Sequence, residues 1–352
     1  MEQKAKDCAS RRKFLKQISA GTLSIALANK LIPAFANSPF PTPVGGNKSK
    51  VIIIKHSNAV DANGVINQPL IQEMINRGMT EFTGKETLVD AWSQFFRSEE
   101  LVSLKINTLG LDSLFGTNYI QHFTGISSAI VSGLQQINIM DKNILIWERS
   151  DEELINGGYT IQREEGKMRI MGTRPNRKGE NEGFHPEQFP VGNSTTRVHT
   201  YITDLSTSFI NIPVLKTHGI AGISGSLKNH YGSIDNPRDF HPNNATNPGI
   251  PEINAIPVIR EKQKLIIADA LLGVFDDGPR WNRDKLWVNN EIIIGTDPVA
   301  VDTVMMRILN RKRESEELEP LDFNAIHLSL SEELGLGNHK LSNIDIQEIV
   351  LG

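Results

Sequence analysis

Short apolar runs rich in β-branched residues alternate along this chain with longer stretches in which apolar residues recur at helical spacing. The runs at 51–55, 101–107, 143–148, 208–215, 265–269 and 291–295 predict strands. The stretches at 69–77, 87–96, 119–136, 224–231, 298–310 and 324–334 predict helices. Within the strand runs, Val51-Ile52-Ile53-Ile54 and Leu265-Ile266-Ile267-Ala268 are apolar at every position rather than every second one. That is the pattern of strands covered on both faces. Strand–helix alternation of this kind predicts an α/β fold, a mostly parallel sheet flanked by helices, as one large domain or as two lobes around a cleft. Two segments break the rhythm. Residues 158–200 carry Arg163, Arg169, Arg174, Arg177 and Lys178 among Gly, Pro and Asn, and 233–252 are rich in Pro and Asn. Both are long for structureless connections and read as lids or binding loops.

The first fifty residues follow a different pattern. Ser10-Arg11-Arg12-Lys13-Phe14-Leu15-Lys16 precedes a mildly apolar stretch from Ile18 to Ile32, which ends in Ala34-Phe35-Ala36. Gly21, Thr22, Ser24 and Asn29 make that stretch a poor membrane span. The order of paired arginines, Phe, Leu and a small-residue cleavage site is that of a twin-arginine export signal. The expected organisation is a signal at 1–36 cleaved near Ala36-Asn37, a Pro/Gly linker at 37–49 and an α/β domain at 50–352. The expected location is the periplasm, with the twin-arginine translocase as partner during export and no stable membrane anchor after cleavage.

Charge and cysteine usage narrow the chemistry. Loss of 1–36 removes seven basic and two acidic residues, which takes the net charge from −4 to −9. A chain this acidic has no general attraction for nucleic acid, so an anion must be held by a local cluster of cations or backbone N–H groups. The single cysteine, Cys8, falls in the leader. The mature chain then has no disulfide, no thiol nucleophile and no cysteine-ligated iron–sulfur cluster.

Ligands of parallel sheets sit at the carboxyl ends of the strands. The predicted strands terminate in Lys55-His56, Lys105-Ile106-Asn107, Glu148-Arg149, Lys216-Thr217-His218, Asp269 and Asp297, rather than in ordinary turn residues. The densest stretch is 211–232, where Lys216-Thr217-His218 is followed by Gly219, Gly222 and Gly225 and then by Lys228-Asn229-His230. Glycines before a helix let backbone approach a ligand, and the free N–H groups of a first turn favour an anion. The spacing matches no nucleotide-binding loop. Thr296-Asp297-Pro298 reads as a helix start with Asp as N-cap.

Leu104-Lys105-Ile106-Asn107, the 211–232 block, Ile267-Ala268-Asp269-Ala270-Leu271 and Gly295-Thr296-Asp297-Pro298-Val299-Ala300-Val301-Asp302 together resemble the bacterial and archaeal family catalogued as domain of unknown function three-six-two. The resemblance runs from about Val51 to Gly352. Many members of that family carry a ferredoxin-like module, which this chain lacks, and the family implies no settled activity.

These residues predict a protein acting on a small anionic ligand, either an enzyme or a cofactor-binding protein. Lys105, Asn107, Lys216, Ser224, Gly225, Lys228, Asn229 and Asp302 are the expected ligand-binding residues. His218 is the expected general acid–base, since its unperturbed pKa suits neutral pH, and Asp269 orients it. If a divalent metal is bound, only nitrogen and oxygen donors are available, with His218, His241, His185 and Asp269 as candidates. The other reading is a non-catalytic periplasmic protein that binds or delivers a metal or cofactor.

Overall fold

The computed structural model describes residues 48–175, 183–241 and 245–352. The expected signal, residues 37–47 of the linker, and Arg177 and Lys178 lie outside the described residues. The described residues form an α/β fold around a ten-stranded sheet. Its strands are β1 (Ser49–Lys55), β2 (Val102–Lys105), β3 (Ile144–Glu148), β4 (Arg169–Gly172), β7 (Ser208–Asn211), β8 (Val214–His218), β9 (Gly222–Ile223), β10 (Gln263–Val274), β11 (Leu286–Gly295) and β12 (Ile344–Val350). A separate hairpin pairs β5 (Phe189–Val191) with β6 (Ser194–Thr196). The main order is β12-β1-β11-β10-β7-β2-β3-β4, with β8 joined to β10 and β9 to β8. On the main path only β11 runs against the rest. The carboxyl ends of β2, β3, β7 and β8 therefore lie on one side of the molecule.

The uninterrupted apolar strands are apolar because both faces are covered. In β1, Ile52 and Ile54 enter one core with Ile71, Met74 and Ile75 of the helix Gln68–Thr83, Trp92, and Ile126 and Ile130 of the helix Gln121–Gln136. Val51 and Ile53 enter the opposite core with Val301, Val304 and Met305 of the helix Pro298–Ser315 and Ile253 of the helix Ile250–Ala255. Successive side chains pointing to opposite faces make this split unavoidable. Helix starts follow local chemistry. The Asn67 side chain accepts the Leu70 amide, and Asp297 accepts the Val299 and Ala300 amides at 2.9 Å each, the cap its sequence predicts.

Three departures from the sequence pattern shape the site. The predicted 208–215 strand is two strands, broken at Pro213, which has no N–H to give a ladder. Asp269 does not end its strand. β10 continues to Val274, with a register shift against β8 between Asp269 and Gly273. The segments expected to be irregular hold β4, the β5–β6 hairpin, the 3-10 turn Pro237–Phe240 and the helix Ile250–Ala255.

Candidate functional site

Lys105, the last residue of β2, is fully buried. Its Nζ donates to Glu148 Oε2 at 3.0 Å, to the Ile106 carbonyl at 2.6 Å and to Asn229 Oδ1 at 3.3 Å. Glu148 ends β3, so two adjacent parallel strands deliver the two charges. Gly232 makes room for them, because a Cβ there would stand 3.0 Å from Lys105 Cε. Burial lowers the Lys105 pKa, with Glu148 opposing the shift.

A chain of amides links this pair to a second lysine. Asn229 Oδ1 accepts both Lys105 Nζ and Asn107 Nδ2, the latter at 3.2 Å, while Asn107 Oδ1 accepts Lys216 Nζ at 3.1 Å. Asn229 Nδ2 in turn donates to Asn211 Oδ1 at 2.8 Å. Lys216, from β8, is fully buried and also donates to the Leu109 carbonyl at 3.0 Å. Burial pulls its pKa down to about 7, against the attraction of Glu148 and Glu153.

The third lysine approaches from the helix Gly225–Asn229. Lys228 Nζ lies 2.9 Å from His241 Nε2 and 3.7 Å from the centre of the Tyr231 ring. His241 Nδ1 lies 2.8 Å from the Pro237 carbonyl, an acceptor only, so Nδ1 carries the ring hydrogen and Nε2 accepts from Lys228. Burial, then the nearby charges of Lys216 and Arg149, pull the Lys228 pKa down to about 7. His218 Nδ1 accepts the Ile220 and Ala221 amides at 3.2 and 3.3 Å, and its ring centre lies 6.1 Å from that of His241. Burial, followed by the Lys228 charge, lowers its pKa to about 2, so this imidazole is neutral.

Around these groups stand Arg149, whose guanidinium pairs with Glu153, and Arg174, whose buried Nε has no hydrogen-bond partner among the described residues. Burial and the Arg149 charge lower the Arg174 pKa. Among the described residues neither Lys216 nor Lys228 has a carboxylate partner. With Lys216 and Lys228 protonated, the result is an excess of positive charge at the carboxyl ends of β2, β3 and β8.

Not every expected residue takes part. Asp302 is fully buried and accepts the Ser226 amide at 2.5 Å and the Leu227 amide at 3.0 Å. The helix-start amides expected to hold a ligand are thus occupied by this chain's own carboxylate, which burial raises to a pKa of about 6. Gly225 has φ +48° and faces Asp302, and Ser224 Oγ donates to the Thr217 carbonyl. Asp269 does not orient His218. Its Oδ2 lies 2.5 Å from Nδ1 of His122, a buried histidine packed against Phe123 and Trp281. His185 stands apart, 3.8 Å from Asp204. The candidate metal set is therefore dispersed, and among the described residues no three His, Cys, Asp or Glu are grouped to hold a metal.

Sequence reasoning noted Glu148-Arg149 as a polar strand end and Asn211 as the start of the densest stretch but assigned none of them a role, and it overlooked Glu153 and His122. Asn211 had a signal, being an amide inside the apolar run Phe209-Ile210-Asn211-Ile212. His122 had none, because its partner is distant in sequence.

A family model described as a domain of unknown function, DUF362, matches residues 117–307. No curated protein matches the chain. A crystal structure of a protein from Thermotoga maritima is similar at 11% identity and a TM-score of 0.37, covering 78% of this chain. This chain spans 60% of the length of that structure.

Proposed function

The chain belongs to the DUF362 family of domains of unknown function, and we propose that it is an exported protein that binds and acts on a small anion at the carboxyl ends of β2, β3 and β8. The observation that carries this reading is the pair Lys216 and Lys228, buried without a carboxylate partner among the described residues. Buried cations are ordinarily paired, because an isolated charge in the interior is costly. An anion seated beside them supplies the missing charge, and each charge-assisted hydrogen bond to it is worth roughly 1.5–3 kcal/mol. Lys105 and Asn107 then serve as supports. Lys105 is neutralised by Glu148, and Asn107 holds the Lys216 ammonium in place.

Two lysines with pKa values near 7 can each hold an anion when charged and accept a proton when neutral, which suits proton abstraction next to a bound carboxylate or phosphate. A binding role without turnover is the second reading. It is favoured by the His122–Asp269 pairing, which leaves His218 no carboxylate partner among the described residues. Isothermal titration calorimetry with inorganic phosphate and with acetate tests the site. Binding weakened about tenfold or more in Lys216→Ala and Lys228→Ala supports the proposal. Equal binding in all three proteins defeats it. Turnover on a panel of small carboxylates and phosphate esters separates the enzyme from the binding protein.

A further inference from the structure

β8 and β9 form a tight hairpin in which His218 pairs with Gly222 across the loop Gly219-Ile220-Ala221. The left-handed backbone at Gly222 (φ +73°) closes that loop, and a Cβ there would stand a tight 3.1 Å from Ala325 Cβ and the Leu321 carbonyl. Closure turns the amides of Ile220 and Ala221 back onto Nδ1 of the histidine that begins the turn. An imidazole nitrogen that accepts two N–H groups carries no hydrogen, so the ring hydrogen sits on Nε2. Among the described residues the ring's hydrogen bonds are those to Nδ1, and none accepts the Nε2–H. A second proton on Nδ1 would face two N–H groups. The ring is further surrounded by Lys216 of β8 itself, Lys228 of the helix Gly225–Asn229, His241 after the turn Pro237–Phe240, and His327 of the helix His327–Glu333.

Resting on the anion-site reading, we propose that His218 is a permanently neutral hydrogen-bond donor to the ligand through Nε2–H, and not the site's general acid or base. With the ammonium groups of Lys216 and Lys228 it makes a donor-only set. Lys216 keeps a hydrogen beyond those given to Asn107 and Leu109, and Lys228 keeps two beyond that given to His241. Such a set accepts oxygens that are acceptors only, which are ionised carboxylate or phosphate. It rejects a neutral amide of the same shape, whose NH₂ would meet another donor. The loop therefore fixes ligand class through a tautomer. Burial and the surrounding positive charge, which lower the His218 pKa, act in the same direction.

Long-range ¹H–¹⁵N correlation of the histidine rings in the wild-type full chain tests this. His218 is assigned from nuclear Overhauser contacts to the Ile220 and Ala221 amides. The expected result is an unprotonated Nδ1 and a protonated Nε2, unchanged between about pH 5 and about pH 9. A His218 ring that carries hydrogen on Nδ1, or that gains a second proton in that window, overturns the proposal. Calorimetry gives the independent arm. Acetate and phosphate should bind and acetamide should not. His218→Gln, whose amide can donate from the Nε2 position, should stay within about threefold of wild type, while His218→Ala loses about tenfold. Acetamide binding as well as acetate, or His218→Ala binding as well as wild type, also overturns it. If wild type binds neither anion, the anion-site reading fails, and the tautomer result still decides whether His218 can work as an acid or base.

Discussion

Glu148→Gln should destabilise this protein by roughly 3–5 kcal/mol at neutral pH, the usual cost of leaving one member of a buried ion pair behind. The local geometry isolates charge as the cause. Both Lys105 Nζ and the Arg149 backbone N–H donate to the same oxygen, Glu148 Oε2, so a glutamine carbonyl in that position can still accept both. Lys105 also keeps the Ile106 carbonyl and Asn229 Oδ1. What disappears is, among the described residues, the only carboxylate hydrogen-bonded to an ammonium with no exposed surface. The penalty should shrink as pH rises. Burial already lowers the Lys105 pKa, and loss of Glu148 lowers it further. Between the folded and unfolded pKa values the unfolded state binds the extra proton, so stability increases with pH across that interval. Urea unfolding at neutral pH and at about pH 9.5 should show a smaller deficit in the alkaline series. Lys105→Met in the Glu148→Gln background should recover most of the loss, because removing both partners of a buried pair is nearly neutral. A Glu148→Gln deficit below about 1 kcal/mol, or no recovery in the double variant, would refute the view that this pair is a charge held in the interior by its partner.

Gly225→Ala combines a left-handed backbone (φ +48°) with a Cβ placed 2.4 Å from Asp302 Oδ2. It should cost about 3 kcal/mol or more in chemical denaturation, and a cost near zero would mean that Asp302 does not cap this helix. Acetate affinity should fall as pH rises through about 7, where Lys216 and Lys228 lose charge while acetate keeps its own; affinity that rises over that range in calorimetry would exclude the two lysines as the anion's partners. Replacing Arg11 and Arg12 together with Lys should leave unprocessed precursor in the cytoplasm on fractionation and immunoblotting, and mature protein in the periplasm would remove the twin-arginine assignment.

The fold was legible where one physical cause controls the pattern. Val51 to Ile54 are apolar throughout because alternate side chains supply two different cores, and that signature does not depend on which strand lies next door. Asp297 was legible as an N-cap because capping is set within three residues. The misreadings came from features that only pairing creates. β12 mixes Ile344, Ile346 and Ile349 with Asp345, Gln347 and Glu348, because it is an edge strand held through parallel pairing with β1. Likewise Asp269 looks like the end of an apolar run. The chain instead continues through it, because the irregular register with β8 gives the aspartate a place inside the sheet beside His122.

In the site, residue types were more legible than roles. A lysine at the end of an apolar strand carries a charge to a predictable edge, so Lys105 and Lys216 could be expected together once their strands were taken as parallel. The role of a titratable group depends instead on what faces each of its atoms, and partners far apart in sequence decide that. Asp302 resembled a site carboxylate, yet the amides of Ser226 and Leu227 had already claimed both of its oxygens. His218 resembled an acid–base because free imidazole titrates near neutrality. Two amides from its own hairpin and four nearby cationic or imidazole side chains remove that option. The same rearrangement explains why the positive charge is left over. Glu148 and Glu153 are committed to Lys105 and Arg149, Asp302 to a helix start and Asp269 to His122. Among the described residues these carboxylates are engaged elsewhere, and Lys216 and Lys228 are left with acceptors that carry no charge.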